Sequence, residues 1–127
     1  MTASATQGEA LAGKHILVVE DEMMLVMLIE DWLAMLDCTT TTTASVEQAL
    51  ELIEAESFDG VLLDVNLGSE TSYPVAASLD ELDIPFIFMT GYSVDMLRED
   101  YRRRAAVRKP FELDEVERLM AETFVTA

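Results

Sequence analysis

Residues 58–67, with the sequence FDGVLLDVNL, form the stretch that decides the fold. The apolar run from Gly60 to Leu63 leads directly into Asp64, and a Gly-Ser-Glu turn follows. An uninterrupted apolar run bounded by turn residues is typical of a strand buried on both faces of a parallel sheet. A carboxylate belongs at the carboxyl end of such a strand, where open α/β sheets place their chemistry. We therefore expect Asp64 to be a reactive carboxylate.

Strand and helix patterns alternate along the rest of the chain. Four further strands are predicted, at 15–19, 38–43, 84–89 and 105–108, and the second of these has the β-branched composition of a sheet edge. Helices are predicted at 23–36, after a Ser45 cap, at 73–82, from a weak pattern at 93–104, and in the tail around Leu113, Val116, Leu119 and Met120. Five such alternations favour an α/β fold, a doubly wound five-stranded parallel sheet with helices on both faces.

Composition limits the partners of the chain. Half of the 127 residues are hydrophobic, which is enough for one domain with a core of its own. The 25 acidic residues outnumber the 8 lysines and arginines, and the net charge of -17 repels nucleic acid and anionic membrane surfaces. The single cysteine, Cys38, excludes an internal disulfide and agrees with a reducing compartment.

The two ends of the chain carry further expectations. Residues 1–13 lack the basic start and apolar stretch of a secretory signal, and we interpret them as a disordered leader. The domain is then expected at 14–125, and no apolar run reaches the roughly 18 to 20 residues of a membrane span. The cytoplasm is the expected location. Since the chain ends one helix after Lys109, no output domain is expected.

Polar side chains follow four of the predicted strands. Glu20 and Asp21 come after the first strand, Asp64 ends the third, and Thr90 and Lys109 follow the fourth and fifth. The carboxyl ends of parallel strands meet at one edge, so these five residues are expected together. Each of them alone has a simpler interpretation, such as a solvated helix start for the acids or a surface lysine.

Carboxylates packed together repel each other unless a cation lies among them. Carboxylate and carbonyl oxygens are hard ligands suited to Mg²⁺, which also keeps several waters and binds phosphate. A lysine adds a fixed positive charge and a threonine adds a hydroxyl donor. Such a set stabilises charge on a transferring phosphoryl group, and an aspartate nucleophile would yield an aspartyl phosphate.

Four short motifs resemble those of the receiver domain of two-component response regulators over about 14–123. They are Val-Val-Glu-Asp-Glu after the first strand, Leu-Leu-Asp-Val-Asn-Leu around Asp64, Met-Thr-Gly at Thr90 and Lys-Pro-Phe at Lys109. The resemblance implies a flavodoxin-like (βα)5 fold and a signalling module that catalyses only its own phosphorylation and dephosphorylation. It also implies phosphoryl transfer from a phosphohistidine of a histidine kinase or of a histidine phosphotransfer protein.

The same resemblance assigns a role to each site residue. Asp64 would be the phospho-acceptor, Asp21 a direct metal ligand and Glu20 a ligand through water, while Asn66 would offer its backbone carbonyl to the metal. Thr90 would hold a phosphoryl oxygen, and Lys109 would pair first with Asp64 and then with the phosphate. The peptide bond between Lys109 and its proline is usually cis in this family.

A narrower resemblance concerns residues 85–92. They are similar to the Phe-Ala-Thr-Gly-aromatic motif of stand-alone receivers that work with HWE-type histidine kinases, with Met89 in place of alanine. The switch aromatic of ordinary receivers, expected three residues before Lys109, is Ala106 here. Thr90 and Tyr92 are therefore the switch candidates, and phosphorylation is predicted to reorder the segment 90–104.

The first helix has more apolar surface than one core stripe needs. Its predicted core stripe consists of Leu25, Leu28, Ile29, Trp32 and Leu36. Met23, Val26 and Met27 lie beside that stripe at helical spacing. They form either a broad core face or a docking surface for a helical kinase or phosphotransfer partner.

Three functions compete. The first is a single-domain response regulator that signals by protein contact or acts as a phosphate shuttle or sink. The second is a phosphatase of the haloacid-dehalogenase kind, which wants a second aspartate where this chain has Asn66. The third is a pseudo-receiver that only binds partners, against which the complete set of acids, threonine and lysine argues.

Overall fold

The structure is a computed structural model, and it describes residues 10–91 and 97–125. Seven strands are present in this part of the chain: β1 (His15–Val19), β2 (Thr39–Thr43), β3 (Gly60–Asp64), β4 (Asn66–Leu67), β5 (Glu70–Thr71), β6 (Phe86–Thr90) and β7 (Ala106–Arg108). The main sheet is parallel and has the order β2-β1-β3-β6-β7, while β4 and β5 form a separate antiparallel hairpin. The predicted five-stranded parallel sheet and the edge position of β2 are confirmed.

Four helices cover this sheet within the described residues: α1 (Met23–Met35), α2 (Val46–Ala55), α3 (Tyr73–Glu81) and α4 (Leu113–Phe124). The Ser45 side chain accepts a hydrogen bond from the amide of Gln48, as the predicted N-terminal cap of α2 requires. Pro74 lies in the first turn of α3, where its missing amide hydrogen costs nothing. No helix among the described residues combines the length and the apolar character needed to cross a bilayer.

Alternate side chains of each central strand point to opposite faces and build two cores. On one face Leu17, Leu63 and Phe88 pack with residues of α2 and α3. On the other face Ile16 and Leu62 pack with residues of α1 and α4. Because both faces of the strands are covered, β1, β3 and β6 read as continuous apolar runs in the sequence.

Gly60 lets α4 approach the start of β3 closely. A Cβ atom built at this position would lie 2.5 Å from the ring of Phe124. The glycine is therefore a packing requirement, since the ring occupies the space that any side chain would need.

Three predictions from the sequence need correction. Residues 10–13 were assigned to a disordered leader, but Leu11 is fully buried and its carbonyl accepts hydrogen bonds from Lys14 and Cys38. Leu28 was assigned to the core stripe of α1 and is half exposed instead. Val26 was assigned to the docking surface, but it is buried because it lies on the sheet-facing side of the helix.

The weak helix predicted at 93–104 is only partly within the described residues. There, a 3-10 turn at Glu99–Tyr101 is followed by an irregular connection to β7. Residues 92–96, and with them Tyr92, lie outside the described residues, as do residues 1–9 of the predicted leader.

Candidate functional site

The acidic residues predicted from the sequence meet at the carboxyl edge of the sheet. Glu20 and Asp21 follow β1, and Asp64 is the last residue of its neighbour β3. One carboxylate oxygen from each of the three lies within 4.8 Å of the others. Glu20 and Asp64 are buried, whereas Asp21 is exposed. The exposed position of Asp21 leaves its carboxylate accessible from solvent.

Lys109 is the positive charge of this edge. Its Nζ lies 2.7 Å from Glu20 Oε1, 3.4 Å from Asp64 Oδ2 and 3.5 Å from Glu22 Oε1. The approach to Glu20 Oε1 is the shortest of the three and joins two groups with little exposure to solvent. The backbone places the side chain here: the Lys109 amide donates to the carbonyl of Thr90, and the bond to Pro110 is cis.

Burial and the neighbouring charges change the proton affinity of Asp64. Burial and the negative charge of Glu20 raise its pKa from 3.8 to about 7, although Lys109 acts in the opposite direction. Burial lowers the pKa of Lys109, but the Glu20 contact and the charge of Asp64 outweigh it and raise this pKa above its usual value. Lys109 is thus a permanent cation that only partly offsets the carboxylates around it.

The donor set fits a divalent cation. When Glu20, Asp21 and Asp64 are all ionised, the single ammonium of Lys109 leaves two of their negative charges uncompensated, and a divalent cation would balance these. The carboxylates are hard-oxygen donors, and the exposed side of Asp21 leaves room for the waters that Mg²⁺ keeps. Asp21, Asp64 and the backbone carbonyl of Asn66 would hold such an ion, with Glu20 behind them.

The hairpin that follows Asp64 frees the carbonyl of Asn66. Ser72 donates its amide hydrogen to the carbonyl of Val65, and Asn66 is paired with Thr71 in the next position. Hydrogen-bonded and non-hydrogen-bonded pairs alternate along an antiparallel ladder. Asn66 and Thr71 are therefore a non-hydrogen-bonded pair, and the Asn66 carbonyl is left outside the ladder.

Thr90 is buried at the end of β6, beside the acidic residues. It borders a cavity of about 320 Å³ together with Asn66, Tyr73 and Arg98, while Gly91 borders a cleft of about 310 Å³ around Asp21, Asp64 and Lys109. Of the two switch candidates, Thr90 therefore directly precedes a residue of the acidic cleft, and Tyr92 is outside the described residues.

The small Ala106 packs against the core cluster that contains Tyr101, a residue that the sequence analysis did not identify. Its ring stacks on Tyr73 at 5.5 Å and meets Phe88 edge-on at 5.4 Å. The guanidinium of Arg98 lies over both tyrosine rings, and its backbone amide donates to the Tyr73 hydroxyl at 3.0 Å. This aromatic cluster connects α3 with the segment that precedes β7.

Two other contacts of the site were missed. Glu22 lies 3.5 Å from Lys109, close enough to interact with its charge, and it was not among the predicted site residues. The backbone amide of Gly68, at the tip of the hairpin, donates to Asp21 Oδ2 at 3.0 Å. A Gly-Ser pair between strand-forming residues is a hairpin signal that could have revealed the turn, although not the partner of its amide.

The fold and the site define a flavodoxin-like α/β domain of the receiver class, with an acidic pocket at the carboxyl edge of its sheet. The chain belongs to the response regulator receiver domain family, whose family model matches residues 16–121. The recognition made from the four motifs is confirmed at the level of the family. The Phe-Ala-Thr-Gly-aromatic resemblance and the roles of individual residues remain predictions.

Similar proteins support this assignment. Regulatory protein VirG of Agrobacterium fabrum is 33% identical over 86 residues, which are 67% of this chain and 33% of VirG. The solution structure of SdrG from Sphingomonas melonis Fr1 is 44% identical with a TM-score of 0.76, covering 88% of this chain and 95% of SdrG. TrrA from Thermotoga maritima, solved in complex with Mg²⁺-BeF, is 26% identical with a TM-score of 0.76, covering 86% of this chain and 97% of TrrA.

The curated relatives are longer proteins. The chain spans about a third of VirG and 44% of the response regulator SaeR of Staphylococcus aureus.

Proposed function

We propose that this protein accepts a phosphoryl group on Asp64 from a phosphohistidine of a sensor histidine kinase or a histidine phosphotransfer protein. The observation that carries the proposal is the position of Asp64 at a strand end, with Lys109 Nζ at 3.4 Å and two further acids beside it. An oxygen of the Asp64 carboxylate attacks phosphorus, and the bond between phosphorus and the imidazole nitrogen breaks. The imidazole leaves with that electron pair and takes up a proton.

Asp21, Asp64 and the Asn66 carbonyl are proposed to bind Mg²⁺, with Glu20 acting through water. When bound, the ion supplies positive charge that balances the phosphoryl oxygens and the carboxylates. The structure of TrrA with Mg²⁺-BeF supports this proposal by similarity. The Thr90 hydroxyl would donate to a phosphoryl oxygen, and Lys109 would move from Glu20 towards the phosphate.

We further propose that the protein acts as a single-domain response regulator in the cytoplasm, signalling by protein contact or serving as a phosphate shuttle or sink. The high coverage of the SdrG chain supports this reading. The phosphatase alternative is disfavoured by Asn66, which cannot act as the general acid that such enzymes need two residues after the nucleophile. The pseudo-receiver alternative is disfavoured by the presence of every acceptor residue.

Phosphorylation by a small donor tests the acceptor. The full chain is incubated with Mg²⁺ and acetyl phosphate, and its intact mass is measured against that of Asp64→Asn and of a control, Asp83→Asn. We expect a labile phosphoryl adduct on the wild type and the control, and none on Asp64→Asn. An adduct on Asp64→Asn would refute the assignment, and turnover of many phosphate esters would favour the phosphatase.

The exposed side of α1 is proposed to dock the phosphodonor, in the manner expected of an HWE-type kinase. Met23 and Met27 are 69% and 58% exposed. They lie in the N-terminal part of α1, which begins beside the acidic pocket. Methionine side chains adapt to different apolar partners, and the helix carries no basic residue. A donor helix with an apolar stripe and basic flanks fits this surface.

A pair of substitutions on one helix tests the docking surface. Met27→Glu places a charge near the pocket, whereas Met35→Glu places it at the far end of α1, about 12 Å further along the helix axis. We expect Met27→Glu to slow phosphotransfer from the cognate kinase and to leave phosphorylation by acetyl phosphate unchanged. Equal kinase-dependent rates in both variants would exclude docking through Met27.

A further inference from the structure

The hairpin between Asp64 and α3 has a function that the four motifs do not assign. It consists of β4 and β5 joined by the two-residue loop Gly68-Ser69. Its base is fixed, because the Val65 amide donates to the carbonyl of Met89 and Leu67 is buried in the core. The tip of the hairpin, Gly68-Ser69, extends beyond this fixed base.

The tip contacts a carboxylate of the pocket. The Gly68 amide donates to Asp21 Oδ2 at 3.0 Å across 47 positions of the sequence. Within the described residues, this is the one hydrogen bond that Asp21 accepts. A carboxylate has two oxygens with about four acceptor sites in all, so this bond leaves Oδ1 available to a cation.

Two features of the hairpin concern the same cleft, which both Asp21 and Asn66 line. Its register leaves the Asn66 carbonyl outside the ladder, and its tip restrains the otherwise exposed side chain of Asp21. An exposed aspartate with no restraint would lose rotational freedom on binding a metal, whereas a restrained one has already lost it. The hairpin therefore prepares two of the expected ligands at once.

We propose that the backbone amide of Gly68 is a positioning group of the metal site, which orients Asp21 towards a cation that the Asn66 carbonyl also reaches. The inference rests on the proposed Mg²⁺-dependent function. It adds a contact outside the ligand set that tunes the affinity for the ion, as partners of metal ligands commonly do. By linkage, bound Mg²⁺ must in turn stabilise the tip of the hairpin.

The glycine itself provides a graded test. Gly68 has φ of +63°, and a Cβ atom there would meet nothing within 4 Å. A substitution at this position therefore changes the backbone preference without creating a clash. Asparagine adopts the left-handed conformation more readily than other non-glycine residues, whereas β-branched valine strongly disfavours it.

The experiment is calorimetric titration of the full chain with Mg²⁺ for the wild type, Gly68→Asn, Gly68→Val and the control Ser69→Val. We expect Gly68→Val to weaken Mg²⁺ binding about tenfold, and Gly68→Asn and Ser69→Val to stay close to the wild type. Thermal unfolding in EDTA verifies that each variant is folded. A lower melting temperature for Gly68→Val with unchanged Mg²⁺ affinity would show that Gly68 is needed only for the turn, and this would overturn the proposal.

Amide hydrogen exchange gives an independent readout. In EDTA, Asp21→Ala should accelerate exchange at the Gly68 amide, and in the wild type Mg²⁺ should slow it. Unchanged exchange in Asp21→Ala would overturn the proposed contact even if the metal binds. If the wild type bound no Mg²⁺, the proposed function would fail as well, so the two failures are distinguishable.

Discussion

Replacing Asp64 with asparagine should stabilise the metal-free protein at alkaline pH. Asp64 is 5% exposed, and burial together with Glu20 raises the pKa of its carboxyl from 3.8 to about 7. The folded protein therefore binds this proton more tightly than the unfolded chain does. The resulting contribution to stability is present in full below about pH 4 and is lost as the pH rises through about 7.

The size of the effect follows from the shift. A difference of about three pKa units corresponds to at most about 4 kcal/mol between low and high pH. Asparagine removes the ionisation but also the attraction to Lys109 at 3.4 Å, while the shorter contact of Lys109 with Glu20 remains. We therefore expect the free energy of unfolding at pH 8 to rise by about 1–3 kcal/mol. Each kcal/mol corresponds to an increase of roughly 4 °C in melting temperature.

Urea unfolding in EDTA at pH 5 and pH 8, followed by the fluorescence of the buried Trp32, measures this gain. The control is Asp31→Asn, which removes one negative charge from an exposed position of α1. It measures how far the loss of a single negative charge stabilises a protein whose net charge is -17. The gain of Asp64→Asn should exceed that of the control at pH 8 and should shrink at pH 5. A variant no more stable than the control at pH 8, or a gain independent of pH, would refute the reasoning.

Three further predictions concern other parts of the structure. Lys109→Gln should destabilise the metal-free protein by about 3–5 kcal/mol at neutral pH, because Glu20 would stay buried without a counter-charge, and Mg²⁺ should restore part of the loss in urea unfolding. Gly60→Ala should cost about 1–3 kcal/mol by displacing the Phe124 ring, and the added change Phe124→Leu should recover part of it in the same assay. Phosphorylation should alter amide exchange in the segment 97–104, and identical exchange with and without beryllofluoride would exclude this segment from the response.

The sequence predicted the main sheet and the acidic site because both depend on strong local signals. The runs in β1, β3 and β6 are apolar on both faces, which is the pattern of central strands in a parallel sheet. Asp64 ends one of these strands and therefore lies at the carboxyl edge of the sheet. The acids and Lys109 then come together as a consequence of topology. Their distances from one another could not be predicted, since they depend on side-chain packing.

Other features depended on contacts between distant residues and could not be predicted in the same way. Leu11 is buried because the core of the α1 and α4 face extends beyond the first strand, and nothing in its local pattern signals this. Periodicity on α1 identified the apolar residues but misplaced Val26 and Leu28, because apolar residues occupy both sides of the helix and leucine occurs on the buried side (Leu33) as well as on the exposed side (Leu28). The contact between Gly68 and Asp21 joins backbone to side chain, and no side-chain pattern encodes it.

The structure also limits how a signal could leave the site without an aromatic residue at position 106. Ala106 packs against the core cluster that contains Tyr101, which is buried, stacked on Tyr73 and in edge contact with Phe88. Rotating this ring outwards would expose an aromatic surface of the order of 150–250 Å² and break the stack, so a single-ring switch is costly. A smaller change is available at the edge of the aromatic cluster, where the Tyr73 hydroxyl accepts a hydrogen bond from the Arg98 amide. Both residues line the cavity that Thr90 also borders. A response that passes from Thr90 to the surface would therefore move the backbone around Arg98 while the ring of Tyr101 keeps its place.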